Sequence, residues 1–192
     1  MSEREKMRRG EAFDGRDAEI IALRDRGQTL LRALNQHQAG DARHAELAGQ
    51  LFGRLGEQSL VSTPFCCEFG ANIEIGRHSY INFNVTMLDV GPILIGDNVM
   101  IAPNVQIYTA THDEDPLLRR DWSVYGKPVV IGDDVWIGGG AIICPGVSIG
   151  ARSIIGAGAV VTRDIPADSV AVGNPARVVR SVQRTAPAAA DD

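Results

Sequence analysis

The sequence lacks the marks of a secreted, membrane-bound or nucleic-acid-binding chain. Its 192 residues include three cysteines, Cys66, Cys67 and Cys144. They form no C-x-x-C pair, and adjacent cysteines rarely bridge each other, so no disulfide framework is expected and a reduced, cytoplasmic setting fits best. The opening MSEREKMRRG is charged and has no apolar run behind it, so neither a signal peptide nor a membrane anchor is expected. Positive charge is in deficit: 24 acidic residues against 19 basic ones give a net charge of −5. That balance argues against a nucleic-acid or anionic-membrane surface and favours small-molecule partners. No G-x-S-x-G elbow presents a serine nucleophile, and Cys144 stands where a small buried residue suffices, so no covalent enzyme intermediate is expected.

What the chain does have is apolar material, 44% of its residues, enough for a real core. In residues 1–60 it recurs at helical spacing, as Ile20, Leu23, Leu30, Leu31, Leu34 and then Leu47, Leu51, Leu55. Two or three short helices are expected there. Asp17 and Asp41 stand as N-caps, and QAGD at 38–41 breaks one helix from the next. Beyond Pro64 glycine, isoleucine and valine rise and the helical period vanishes, which divides the chain into a helical cap over 1–60, a second domain over 61–182, and an alanine-rich, acidic tail over 183–192 expected to be disordered.

The second domain repeats every six residues. IGDDVW, IGGGAI, ICPGVS, IGARSI, IGAGAV and VTRDIP follow without a gap from Ile131, and IGRHSY, INFNVT, IGDNVM and IAPNVQ precede them. An aliphatic first residue points inward, a small second residue lets the chain turn, and a small or β-branched fifth residue fills the corner. One unit buries nothing alone, so stacking makes the core. Three faces per coil give a triangular parallel β-helix. An all-β sandwich also uses short strands and glycine turns, but it does not hold phase through six consecutive hexads. Handedness does not follow from the repeat, since parallel crossovers in general are right-handed.

The rhythm breaks twice. MLDVGPIL at 87–94 spends eight residues where six would keep phase, and IYTATHDEDPLLRRDWSVYGKP at 107–128 departs altogether in an excursion of about fifteen residues. His112 opens that excursion and is the best candidate base, since a neutral imidazole takes a proton from a hydroxyl near neutral pH. Spacing alone leaves a surface histidine equally open. His37 and His44 read as solvated helix residues, and His78 as an outward hexad position. Around the slip lie Tyr80, Asn82, Asn84 and Asp89: an asparagine donates to an oxyanion, and a carboxylate holds a sugar hydroxyl or orients an imidazole, but corner hydrogen bonding accounts for such residues as well. GGG at 138–140 and GAG at 156–158 precede no helix in a βαβ unit, which removes a dinucleotide fingerprint. They leave instead a groove for an extended ligand, with Arg163, Arg177 and Arg180 nearby, suited to phosphate or simply to solubility.

Taken together, SEREKMRRGEAFD, NFNVTMLDV, IYTATH, YGKPVVIGDDVWIGGGAIICPGV, GAGAVVTRDIP and VGNPARVVR resemble the maltose/galactoside O-acetyltransferase family over nearly the whole chain. The resemblance implies a left-handed parallel β-helix of hexapeptide repeats, a small N-terminal α-helical cap, a projecting loop, and a homotrimer with active sites shared between neighbouring subunits. It implies acetyl-CoA as co-substrate, a sugar as acceptor, and no required metal. By position His112 matches the family's catalytic base and Asn82 an acceptor-site polar residue; either Asn82 or a backbone N–H would stabilise the oxyanion in a direct transfer. Asp89, Tyr80 and Glu68 match the acceptor pocket, and Gly139, Ala157, Thr162, Arg163, Arg177 and Arg180 match coenzyme contacts. The chain departs from the pattern at Asp113, where proline is usual, and at Val124, where an acidic residue is common, so the acceptor stays open among glucosyl, galactosyl and other hydroxyls.

Three rivals remain at this level. Another hexapeptide acyltransferase would act on an amino-sugar, an antibiotic hydroxyl or serine. A zinc enzyme on the same coil needs three histidines, and the repeat domain has His78 and His112. A non-catalytic scaffold would share the fold without the activity.

Overall fold

The computed structural model describes residues 1–120 and 123–183; the tail residues 184–192 lie outside it. Helices begin where side chains can receive their orphan N–H groups. In α1 (Glu3–Arg9) Ser2 and Glu5 form a reciprocal capping box, and Gly10 ends the helix in the left-handed region. In α2 (Ala18–Leu34) Asp17 accepts from Glu19 N at 2.9 Å, and in α3 (Ala42–Leu51) Asp41 accepts from Arg43 N at 3.0 Å. Leu31 and Leu34 of α2 and Leu47 and Leu51 of α3 join Val61 and Phe65 in one core cluster, so the cap seals the open end of the coil. Contact is close: a Cβ on Gly27 would lie 2.3 Å from Phe69 O.

His44 is not solvated as its helical setting implied. It shares the inward face of α3 with Leu47, Ala48 and Leu51 and is 2% exposed. Its Nε2 finds no hydrogen-bond partner, and burial lowers its pKa below the ordinary imidazole value.

From Arg54 onward the chain winds as a parallel β-solenoid of about 6 turns, in the left-handed hexapeptide-repeat architecture. The coil therefore begins before residue 61. Its first face stacks Arg54–Leu55, Ile73–Ile75, Ile93–Ile95, Val129–Ile131 and Ser148–Ile149. Its second face runs from Leu60–Val61 through Tyr80–Ile81, Met100–Ile101, Trp136–Ile137 and Ile154–Ile155 to Ser169–Val172, closed by antiparallel Arg177–Ser181. Its third face stacks Phe65–Cys67, Val85–Leu88, Gln106–Tyr108, Ile142–Ile143 and Val160–Val161. Inward aliphatic ladders such as Ile75, Ile95 and Ile131 are almost wholly buried, and the fifth hexad residues Val135, Ala141, Val147, Ser153 and Ala159 fill the corners.

Small residues are demanded where coils touch. At the corner between the first and second faces a Cβ on Gly76 would stand 2.4 Å from Gly96 O, which is overlap with the backbone of the next coil. The breaks in rhythm map to one edge. Tyr80 pairs with Met100 twenty residues on, and Trp136 with Ile154 only eighteen on. The two surplus residues per upstream coil sit at the corner between the third and first faces, and so does the whole excursion, across which Met100 still pairs in register with Trp136.

Candidate active site

The excursion is built into the molecule at its base and along its flank. Thr109 Oγ1 donates to Leu88 O at 2.7 Å and accepts from Gly91 N at 2.8 Å, while Lys127 N closes the neck on Thr109 O at 2.8 Å. Ala110–Thr111 then pairs antiparallel with Ser123–Gly126, and that strand pairs with Phe13–Asp14 from the N-terminal segment, Phe13 opposite Val124. Between the two excursion strands lies α4 (Pro116–Arg119), capped by Asp115.

This three-stranded patch folds over the corner and forms a cleft of about 440 Å³. His112, Glu68, Arg24 and Arg16 supply its polar groups, and Phe13, Leu88, Val90 and Val124 its apolar wall. Arg24 Nε donates to Glu68 Oε1 at 3.0 Å, its NH1 donates to Gly15 O at 3.4 Å, and its guanidinium sits 5.3 Å over the Phe69 ring. A groove of similar volume, about 460 Å³, runs along the first face by Val130, Ile149 and Ile165, but it contains none of the predicted site residues.

The structure divides the predicted residues between corners. His112 and Glu68 meet in the cleft. Tyr80 and Asn82 do not line it: Tyr80 stands outward on the second face, accepting from Ser62 Oγ at 3.0 Å, and Asn82 turns the corner between the second and third faces, where its Oδ1 accepts from Phe83 N at 2.8 Å. Gly139 and Ala157 occupy that same corner two and three coils on, with Gly158 N donating to Gly139 O at 2.9 Å. Thr162 and Arg163 lie at the next corner of the last full coil. Arg177 begins the final strand beside Ala176, whose N donates to Val160 O at 2.8 Å, and Arg180 lies further along that strand; all four side chains are exposed.

Chains of known function or structure are similar to this one in sequence and fold. A family model described as "Maltose acetyltransferase hexapeptide capping motif" matches residues 6–56, and one described as "Bacterial transferase hexapeptide (six repeats)" matches residues 128–163. The galactoside O-acetyltransferase of Escherichia coli K12 is 41% identical over 179 residues, which is 93% of this chain and 88% of that protein. The chain belongs to the maltose/galactoside O-acetyltransferase family. Among solved structures of such proteins, a maltose O-acetyltransferase from Clostridium difficile superposes with a TM-score of 0.93 at 45% identity, covering 96% of this chain and 99% of that one. A hexapeptide-repeat acetyltransferase from Vibrio cholerae, in complex with acetyl-coenzyme A, superposes at 0.90 with 51% identity over 96% and 100% of the two chains.

One residue that the family resemblance implies for the acceptor pocket lies apart from the cleft's lining. Asp89 does not face the cleft: it is fully buried, with Oδ1 accepting from Glu68 N and Phe69 N, each at 2.9 Å. Burial pushes its carboxyl up to about 7 against the opposing pull of those donors. The cleft also contains residues that the sequence reading missed, namely Phe13, Arg16, Arg24, Leu88 and Val90. Of the thiols, Cys67 and Cys144 have their pKa raised by burial, which leaves them poor nucleophiles. Among the described residues no group of three or more His, Cys, Asp or Glu is placed to hold a metal ion, and no helix is long and apolar enough to cross a membrane.

Proposed function

We propose that the protein is an acetyl-CoA-dependent O-acetyltransferase that acts on a hydroxyl of a maltose, glucose or galactoside type sugar, with His112 as general base. The observation that carries this reading is the placement of His112 in a preformed cleft at the corner where the coil departs from its repeat. Imidazole there takes the proton from an acceptor hydroxyl. Glu68 and Arg24 offer hydrogen bonds to the acceptor's other hydroxyls, and the apolar wall packs against a ring face.

The corner of Asn82, Gly139 and Ala157 suits the co-substrate. No heavy atom lies within 4 Å of a Cβ built on Gly140 or Gly158, so an extended chain can lie against the backbone there. Arg163, Arg177 and Arg180 lie toward the same end of the coil for phosphate groups. Bound acetyl-CoA would supply an activated acetyl group, and Asn82 would donate to the oxygen that gains charge during transfer.

The reading includes the homotrimer that the family resemblance implies, with sites formed between copies, and it fits His112 and Asn82 turning different corners of successive coils. The outer side of the second face supports it: Tyr80, Met100 and Trp136 form an apolar column, 39%, 62% and 52% exposed. That column adjoins the Asn82 corner, so a neighbour covering it would bring its own cleft toward the co-substrate groove.

The test is acceptor-dependent release of CoA thiol by wild type and His112→Ala, across maltose, glucose, galactosides, an amino-sugar and serine. His112→Ala is expected to keep its fold and CoA binding and to lose roughly a hundredfold or more in turnover. Undiminished turnover removes His112 from the mechanism. Among the described lining residues Glu68 is the one carboxylate, and Val124 supplies apolar surface, so a non-sugar acceptor is the second reading that the panel decides.

A further inference from the structure

Asp89 is fully buried, yet it is tied to the cleft through the backbone of Glu68 and Phe69. Its Oδ1 grips Glu68 N and Phe69 N, its Oδ2 faces Asn72 N at 3.4 Å, and Asn72 Nδ2 returns a bond of 2.7 Å to Asp89 O. The reason is local. The upstream coils carry two surplus residues at this corner, so the turn at 68–72 points N–H groups inward where no neighbouring strand accepts them. A carboxylate is the side chain that only accepts, with lone pairs enough for all three.

What hangs from those bonds is the cap side of the cleft. Glu68 sends its carboxylate to Arg24, and Phe69 lies under the same guanidinium. Arg24 belongs to α2 and reaches on to Gly15 O. Gln28, one turn further along α2, fastens the same stretch by donating to Cys67 O at 2.8 Å and Glu68 O at 2.9 Å. Glu68 and Phe69, two of the groups that hold the Arg24 head, thus share one buried oxygen as an anchor, beside the hold of Gln28 on the Glu68 carbonyl.

We infer that Asp89 is a positioning residue for acceptor recognition: through the backbone of Glu68 and Phe69 it sets where Arg24 and the 13–16 segment stand across the cleft from His112. The inference rests on the acceptor cleft proposed above. It assigns Asp89 no contact with the substrate and no part in binding acetyl-CoA, whose proposed groove turns another corner.

The experiment compares Asp89→Ala and Asp89→Asn with wild type. Asparagine keeps one carbonyl oxygen for Glu68 N and Phe69 N and presents a donor to Asn72 N. Asp89→Ala is expected to raise the acceptor KM about tenfold while kcat and the acetyl-CoA KM stay within about twofold, and Asp89→Asn to recover most of that loss. In a Glu68→Ala background, changing Asp89 should add little, since both act on one contact. Acceptor and acetyl-CoA KM rising together, or additive effects of the two substitutions, would overturn the inference. If Asp89→Ala does not fold, Asp89→Leu, which keeps the volume and removes the acceptor oxygens, completes the same cycle with Glu68→Ala. Hydrogen–deuterium exchange supplies a readout that needs no turnover: residues 13–17 should exchange faster in Asp89→Ala and Glu68→Ala alike. Unchanged exchange there refutes the inference. Faster exchange in a protein whose wild type transfers acetyl to no tested hydroxyl supports it and counts against the functional reading alone.

Discussion

Gly138 and Gly139 are neighbours in one corner and should fail in opposite ways. A Cβ on Gly138 would lie 2.6 Å from Ala157 N and 2.9 Å from Ile155 O, both backbone atoms of the next coil. Alanine there must pry the coils apart against the bond from Gly138 N to Ile155 O, which is 2.7 Å long. Such overpacking costs about 1–3 kcal/mol. For a chain of this size each kcal/mol lowers Tm by about 2–4 °C. A Cβ on Gly139 meets only Pro103 O, at 3.3 Å, and Ala102 Cβ, at 4.0 Å, so its side chain points outward. Leucine at 139 asks Pro103 O to give slightly and should cost less than Gly138→Ala, about 1 kcal/mol or under. It should nevertheless fill the proposed co-substrate groove and weaken acetyl-CoA binding at least about tenfold, near 1.4 kcal/mol. Thermal unfolding at one fixed protein concentration and calorimetric titration with CoA read the two effects separately. Wild-type stability in Gly138→Ala would refute the stacking argument, and wild-type CoA affinity in Gly139→Leu would move the groove elsewhere.

Other outcomes follow from burial and exposure. His44 is held neutral in the fold, so the unfolded chain takes up protons first as pH drops below about 6.5, and stability falls with acidification. His44→Met should flatten that slope in urea midpoints measured between pH 5 and 8; an unchanged slope would assign it to other groups. Asp89 has the opposite sign: with its carboxyl at about 7 in the fold, its contribution shrinks as pH rises from the ordinary carboxylate range toward 7. Asp89→Asn should therefore gain stability relative to wild type over that interval, and a parallel pair of stability curves would contradict the assignment. Trp136→Glu places a charge in the apolar column of the second face and should convert trimers to monomers by sedimentation, with loss of turnover. A monomeric wild type, or a trimeric variant, would remove that face from the assembly.

The coil was legible because stacking enforces its period. Every sixth aliphatic residue from Ile131 onward has to point inward for the next coil to cover it, and a shift of one residue would expose the ladder. The helix starts at Asp17 and Asp41 were legible for a similar reason, since a cap is a local bond between near neighbours. His112 stood out as the point where the period fails. Phe13 and Arg24 gave no such signal: an antiparallel pairing of Phe13 with Val124, more than a hundred positions apart, brings the N-terminal segment to the cleft, and no spacing records it. His44 was misread although the information was present, because positions 44, 47, 48 and 51 share one helix face. Asp89 was placed in the acceptor pocket by family resemblance, whereas its partners are the backbone N–H groups of Glu68, Phe69 and Asn72, the corner bonding that the sequence also left open.

The register across the excursion has a consequence for how such proteins diversify. Met100 meets Trp136 with the same pairing that Tyr80 makes with Met100, so the coil does not count the residues spent outside it. Length at that one edge is a free parameter. A segment can be grafted, trimmed or exchanged between Thr109 and Lys127 without rewriting a single hexad, provided the two ends still meet. The scaffold and its reactive appendage can thus be altered separately, by selection or by design.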